Sequence, residues 1–335
     1  MKIAKNLPEF IHYRNSLLTK SLAFIPTMGN LHAGHLSLIS LGKSHAESTA
    51  ASIFVNPAQF APHEDFNKYP RTFDSDSKKL NDCKVDLLFA PLNTAELYPS
   101  SYLTRVCMSS IKNTGNPLRN DAGNINWLDE QPESIIRPGF FDGIATILTK
   151  LFNITRPNVV VFGQKDAIQC IVVKQLVRDL NFVNIKVVIG KIEREPDGLA
   201  MSSRNQYLSA IDRKAFGPIL YGSLMKTRER CDLKNLKNNS DNVRNIVKGC
   251  YEDLEERFIR AMEVSRPENA GKYEVEYVTM CDNENGQVLG TMFGGKKREY
   301  NSGKNAIKSI EDVNISLVVR VNGTRLLDNV VIVKE

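Results

Sequence analysis

Five short apolar runs in the first two-thirds of this 335-residue chain constrain its fold more than any other feature. They are Leu22–Ile25, Ala50–Val55, Val85–Phe89, Val159–Phe162 and Ile185–Ile189, and most are rich in β-branched residues. Runs of that length and character read as strands buried on both faces, as in a parallel sheet. Between the last two lies Ala167–Leu180, whose Ile168, Ile171, Val172, Leu176 and Leu180 recur at helical spacing. A second helix is expected at Ile144–Ile154, with Ile144, Ile147, Leu148 and Leu151 on one stripe. Strands alternating with helices predict an α/β fold with a doubly wound parallel sheet. Ligands of such sheets bind beyond the carboxyl ends of the strands.

After Asn205 the pattern changes. Ile211–Arg230 and Asn242–Met262 read as helices, and Tyr273–Met280, Ile315–Val321 and Val330–Val333 as strands of a small sheet. Two domains are therefore expected: one over 1–205 that carries the parallel sheet and a smaller α+β domain over 206–335. Ser109–Glu133 is polar and aperiodic and reads as a long loop or insertion, and Asp282–Ser309 as a mobile Gly-, Asn- and Lys-rich stretch. No apolar run is long enough to span a bilayer, and MKIAKNLPEF lacks the apolar core of a secretory signal. Cys83, Cys107, Cys170, Cys231, Cys250 and Cys281 are scattered, which argues against a disulfide framework or a zinc ribbon and fits a reducing, cytoplasmic compartment. The net charge of +6 suits anionic small molecules; its concentration in Lys296-Lys297-Arg298 reads as a solvated loop, not a nucleic-acid site.

The loops that trail the strands carry the chemistry. PTMGNLHAGH, Pro26 to His35, leads into Leu36-Ser37-Leu38-Ile39, which reads as a helix start. Unsatisfied N–H groups at a helix N-terminus attract anions, so the strand, loop and helix start form a phosphate-binding geometry. His32 and His35 share a face once the chain turns helical. Gly29 and Gly34 let the backbone approach a ligand. An H-x-x-H pair alone is as often structural, and the spacing also suits zinc, although no Cys or acidic residue lies nearby in the loop. Asn56-Pro57-Ala58-Gln59-Phe60 offers two uncharged amides for gripping hydroxyls. In Gly163-Gln164-Lys165-Asp166, Lys165 stands near a helix N-terminus, where an anion would relieve the repulsion. Met201-Ser202-Ser203-Arg204-Asn205 supplies hydroxyls and a guanidinium for phosphate oxygens. Each loop alone is an ordinary turn or capped helix. Together, with no G-x-S-x-G and no Cys–His arrangement, they point to positioning and electrostatic stabilisation of a phosphorus centre.

PTMGNLHAGH, FVNPAQF, NKYPRT at Asn67–Thr72, RPGFFDG at Arg137–Gly143, FGQKDAIQ at Phe162–Gln169 and DGLAMSSRNQYL at Asp197–Leu208 occur in that order. The series resembles the pantothenate synthetase (pantoate–β-alanine ligase) family, within the H-x-G-H nucleotidyltransferases. The resemblance implies a Rossmann-like sheet of the nucleotidyltransferase type and a C-terminal domain that partly closes the site. It implies ATP-dependent condensation of (R)-pantoate with β-alanine through a pantoyl adenylate, feeding coenzyme A synthesis. It implies an ATP stretch over Met28, Gly29, Asn30, Leu31, His32, Ala33, Gly34 and His35, with His35 the catalytic donor and His32 its partner. Gly163, Gln164, Lys165, Asp166, Met201, Ser202, Ser203 and Arg204 would surround ribose and phosphates, with Lys165 and Arg204 as the charge carriers and Glu193 near adenine. Gln59 and Gln169 would clamp pantoate with Asn56 close by, and Gln59 would also meet β-alanine. Magnesium would arrive mainly on ATP, with Asp76 at an acidic position associated with that ion. A homodimer is expected, with no nucleic-acid or membrane partner.

The chain departs from the family pattern at Gln164, where a carboxylate is usual, and at Phe140 and Asp142, which replace His and Arg. Glu193 stands where an aliphatic residue is frequent, and Ser75 neighbours Asp76 where a second acid is usual. The two polar tracts resemble fungal versions of the family. Another small-molecule nucleotidyltransferase, or a non-catalytic nucleotide-binding protein derived from the fold, are the competing readings. The retention of both histidines, Lys165 and Arg204 argues against the second.

Overall fold

The computed structural model describes residues 1–62, 64–108, 126–236, 239–265, 272–294, 299–302 and 312–334. It divides into two compact units, the first comprising Met1–Asn124, Glu133–Gln164 and Val172–Ile192, the second Ile125–Pro132, Lys165–Ile171 and Glu193–Glu335.

The first unit follows the order β1 (Lys2–Ala4), α1 (Leu7–Asn15), β2 (Leu22–Thr27), α2 (Ala33–Lys43), β3 (Ser48–Ile53), α3 (Phe73–Asp82) and β4 (Leu87–Phe89). It continues with α4 (Pro132–Ile136), α5 (Phe140–Thr155), β5 (Val159–Gly163), α6 (Ala167–Asp179) and β6 (Lys186–Gly190), the first residue of α4 and the first turn of α6 falling in the second unit. The six strands lie in the order β1-β4-β3-β2-β5-β6, and every pairing is parallel. This is the α/β sheet expected. Strand order reverses between β2 and β5, so the PTMGNLHAGH loop leaves the sheet at the topological switch point, where ligands of such sheets bind. Ala23, Ile25, Ala51, Leu88, Val159 and Val161 of the strands form one buried core with Leu31, Ile39 and Leu80.

Several boundaries differ from the sequence expectation. Helix α2 begins at Ala33, not Leu36, and α5 begins at Phe140 behind Gly139, whose φ is +81°. Strand β1 and helices α1 and α3 were not expected. Helix α1 is opened by Asn6, whose side chain accepts the Glu9 N–H at 2.9 Å, and it buries Phe10 against Phe89 at 4.8 Å between ring centres.

In the second unit, α7 (Ala210–Arg230) and α8 (Ser240–Ser265) pack on an antiparallel sheet of β7 (Tyr273–Asp282), β8 (Val288–Phe293), β9 (Glu299–Ser302), β10 (Asp312–Val321) and β11 (Thr324–Val333). The sheet order is β11-β10-β7-β8-β9. Leu220, Leu224, Leu254 and Phe258 from the helices meet Val275, Leu317, Val319 and Val321 from the strands. Strands β8 and β9 lie inside the stretch expected to be a mobile tract; residues 295–298 and 303–311, with Lys296-Lys297-Arg298, lie outside the described residues. The expected loop 109–133 divides likewise: 109–125 lie outside the described residues, while Trp127–Glu130 form a helical turn. Gln131 Nε2 donates to Gly286 O at 2.7 Å, which ties that turn to the β7–β8 connection.

Candidate active site

In the first unit the β2–α2 loop is built around Asp76 of α3. Asp76 has no exposed surface, and its two oxygens accept the N–H groups of Asn30 at 2.7 Å and Leu31 at 2.8 Å and the Thr72 hydroxyl at 2.9 Å. Lys79, one turn further along α3, donates to Leu31 O at 2.6 Å. Gly29 (φ +86°) and Asn30 (φ 52°) are both left-handed. A Cβ on Gly29 would stand 3.1 Å from both Asp76 Oδ2 and Ile53 Cγ2, so the glycine is needed for conformation and for space.

Asp76, expected at an acidic position associated with magnesium, anchors the loop through these three donors. Among the described residues no group of three or more His, Cys, Asp and Glu could hold a metal ion.

The early start of α2 places His32 at the N-cap and His35 at the third helical position. The rings lie 4.1 Å apart between centres, and the His32 N–H points at His35 Nδ1 over 3.3 Å. A neutral imidazole that accepts at Nδ1 carries its proton on Nε2. The expected cradle of loop N–H groups is narrower than the sequence implied, since Asn30 and Leu31 are committed to Asp76 and His35 N bonds His32 O at 2.9 Å. Among the described residues the Ala33 and Gly34 N–H groups of the helix start have no hydrogen-bond acceptor.

After β3, Asn56 is 1 % exposed and has all of its hydrogen-bonding capacity engaged. Its Oδ1 accepts from Tyr98 Oη at 2.8 Å and Ala58 N at 3.3 Å, and its Nδ2 donates to Gln59 Oε1 and Gly143 O, each at 3.1 Å. Burial pushes the Tyr98 phenol well above its ordinary value, which keeps it a donor. Asn56, expected close by pantoate, bonds here to the Gln59 side chain and to the surrounding turn. It occupies Gln59 Oε1, while the Gln59 NH2 has no partner among the described residues.

Gly143 of α5 presses on the same turn: a Cβ there would fall 2.2 Å from Ala58 O and 2.8 Å from Gln59 N. A cleft of about 360 Å³ beside it is lined by Gln59, Arg105, Arg137, Phe140, Asp142 and Thr146. Two departures from the family pattern find uses there. Phe140 lies under the Arg137 guanidinium at 3.5 Å, while Arg137 forms a bidentate pair with Glu64 at 2.6 and 2.8 Å. Asp142 accepts the Met108 N–H at 2.7 Å.

The second unit carries the cationic residues. Lys165 lies in the 3-10 turn Gln164–Asp166 before α6, with its Nζ 3.2 Å from Asp166 Oδ1. Gln169 lies in the first turn of α6. Residues 193–201 form a tight hairpin, with Met201 N bonded to Glu193 O at 2.9 Å and Arg194 bridged to Ala200. Gly198 (φ +93°) makes its turn. Ser202 then caps the 3-10 turn Ser203–Tyr207 by accepting the Arg204 N–H at 3.3 Å, which is the ordinary structural use of a serine at that place. Asp328 of β11 receives Arg194 at 2.6 and 2.9 Å. Sequence reading missed Tyr98, Gly143, Asp328 and Asn329 as supporting residues. Only Gly143 carried a signal, as the last residue of RPGFFDG.

Comparison with known proteins follows this geometry. The model of the family described as pantoate-beta-alanine ligase matches residues 2–331. A pantothenate synthetase of Chloroherpeton thalassium is 35% identical over 331 residues, covering 98% of both chains. One from Thermoanaerobacter sp. (strain X514) is 43% identical over 235 residues, 70% of this chain and 74% of its own. The crystal structure of the pantothenate synthetase of Thermus thermophilus superposes with a TM-score of 0.74 at 31% identity, over 98% of this chain and 99% of that one. The ligase of Francisella tularensis, solved with beta-gamma ATP and beta-alanine, gives 0.66 at 29% identity, over 98% and 97% of the two chains.

Two outcomes test the supports. Asp76→Asn places an NH2 against a loop N–H and should cost roughly 1–3 kcal/mol of stability in denaturant unfolding. It should leave the magnesium dependence of the reaction unchanged, whereas a metal ligand would shift it. Gly143→Ala overpacks the Ala58–Gln59 turn and should cost roughly 1–3 kcal/mol by the same measurement.

Proposed function

This chain belongs to the pantoate–β-alanine ligase family, and on that premise we propose that it joins pantoate to β-alanine through a pantoyl adenylate, with the residues described above in distinct roles. ATP and β-alanine, the ligands named for the Francisella relative, come to this chain on the same premise. Pantoate's carboxylate oxygen attacks the α-phosphorus, and the bond to the bridging oxygen breaks, releasing pyrophosphate. The β-alanine amine then attacks the acyl carbon and loses a proton as AMP leaves. No step requires a covalent enzyme intermediate, so the protein's task is positioning and charge stabilisation.

The observation that carries this reading is the placement of His35. Its ring stands at the start of α2, at the switch point of the sheet, with Nδ1 facing the His32 N–H. Its Nε2–H is then a donor for charge that develops on the α-phosphate, with His32 its neighbour. The unsatisfied N–H groups of Ala33 and Gly34 suit a phosphate oxygen.

Gln59 offers its NH2 to pantoate, and Gln169 is the second amide of that clamp. Neutral amides suit a hydroxyl-bearing acid because they orient it without adding charge. Lys165 and Arg204 carry the positive charge for the phosphates, with Met201–Ser203 beside them and Glu193 offering backbone to adenine. Magnesium travels on the ATP phosphates. The reading includes a homodimer and a smaller C-terminal domain that partly closes the site, both resting on the family resemblance. It also includes a cytoplasmic setting, which is supported by the free state of all six cysteines. No helix among the described residues is long and apolar enough to cross a membrane.

Exchange of labelled pyrophosphate into ATP should depend on pantoate and proceed without β-alanine. A strict requirement for β-alanine would rule out an adenylate formed before the amine enters, and exchange supported equally by other hydroxy acids would favour a different nucleotidyltransferase. His35→Ala should lose on the order of 10²- to 10⁴-fold in turnover while ATP affinity changes little, because the donor acts mainly in the transition state. Near-normal turnover would make this histidine structural.

A further inference from the structure

Four polar residues of the β10–β11 hairpin, Asn314, Ser316, Asp328 and Asn329, are at most 2 % exposed. Buried polar groups cost stability unless they are hydrogen-bonded. These are bonded in a chain that ends on the second unit's cationic loops. Ser316 Oγ donates to Asn314 Oδ1, Asn314 Nδ2 donates to Asn329 Oδ1 at 3.1 Å, and Asn329 Nδ2 donates to the backbone oxygen of Lys165 at 2.8 Å. The Asn329 amide therefore cannot flip without breaking both bonds. Next to it, Asp328 takes both terminal nitrogens of Arg194 at 2.6 and 2.9 Å. Arg194 also donates to Gly198 O at 2.9 Å and lies 3.9 Å over the Tyr221 ring. That guanidinium thus holds the hairpin 193–201 from which the chain runs into Arg204.

We propose that Asp328 and Asn329 are positioning residues for the two phosphate-directed cations, Asn329 through the backbone of Lys165 and Asp328 through Arg194 and the hairpin that leads to Arg204. This rests on the assignment of Lys165 and Arg204 to the phosphates. The two tethers are adjacent residues on one strand, so a single peptide unit fixes the spacing between the anchor of one cationic loop and the anchor of the other. Both side chains are buried and spend their hydrogen bonds on the protein. Their effect is geometric, and a misplacement of about 1 Å is enough to cost on the order of 10²-fold in rate.

The test uses the full-length protein and pyrophosphate–ATP exchange at saturating pantoate, with pantoate affinity read by calorimetry. Asn329→Ala should lose roughly 10- to 100-fold in exchange rate, with pantoate affinity retained. Asn329→Asp keeps the volume and the acceptor for Asn314 but removes the donor to Lys165, so it should show the same loss and serves if the alanine variant does not fold. The deciding measurement is the cycle with Lys165→Ala. A residue that acts through Lys165 adds nothing once Lys165 is gone, so the double variant should be no slower than Lys165→Ala alone. Multiplying losses would overturn the proposal, as would normal exchange in Asn329→Asp. Normal exchange in Lys165→Ala would instead overturn the phosphate role of Lys165, and the tether would fall with it. Asp328→Asn cycled against Arg204→Ala reads the second tether by the same criterion.

Discussion

A buried carboxylate would normally be a liability, and the Asp76 carboxylate is tolerable only because two backbone N–H groups and a hydroxyl point at it. Much of the first unit's site follows from that arrangement. To deliver the N–H groups of Asn30 and Leu31 to one carboxylate, the chain must turn sharply as it leaves β2. Gly29 and Asn30 accordingly take left-handed conformations, at a cost of about 1–2 kcal/mol for the asparagine. The turn uses up the loop early, so α2 begins at Ala33. That early start puts His32 at the N-cap and His35 one turn in, with their rings 4.1 Å apart. The geometry of the two imidazoles is thus a consequence of an acid 41 residues downstream of His35 on α3.

The sheet was legible because its strands are buried on both faces and so must be apolar along their whole length. Each of the five expected strands is present within a few residues of its expected bounds. The start of α2 was not legible, because His32, Ala33 and Gly34 have no apolar period and the helix starts there for the non-local reason just given. Strand β1 is three residues at a sheet edge, too short to show any period. Strands β8 and β9 were obscured by Gly290, Gly294 and the polar residues around them. Their pairing with β7 and with each other defines them, and pairing is not visible in one strand's sequence. Asn6, Pro8 and Glu9 at the start of α1 did carry a capping signal that periodicity alone missed.

For the candidate site, residue types were legible and partnerships were not. Asn56 and Gln59 read correctly as uncharged amides in a turn. That one is spent holding the other depends on Tyr98 and Gly143, 42 and 87 residues away. The loop N–H groups that Asp76 holds were not legible, since only the folded chain brings them to it. Phe140 and Asp142 looked like losses when measured against a family motif. In this chain each has an employer: Arg137 rests on the ring, and the backbone at Met108 binds the carboxylate.

These supports share a physical logic. A reaction without a protein nucleophile depends on where donors and charges stand, so its demands fall on whatever fixes their positions. Exposed ion pairs are poor at this, because long side chains swing and salt screens them. The tethers found here are of the other kind. Asp76, Asn56, Asp328 and Asn329 are each 1 % exposed or less, and each bonds to backbone or to a planar group with a defined direction. A buried amide or carboxylate with every partner satisfied cannot relax without leaving one of them unpaired, at a cost of roughly 1–3 kcal/mol. That penalty resists displacement over small distances far more steeply than apolar packing does, because hydrogen bonds are directional and hydrophobic contact is not. Burying polar groups away from the reacting atoms is therefore a sound way for this chain to hold histidines, amides and cations still on rigid elements while leaving their reactive ends open to substrate.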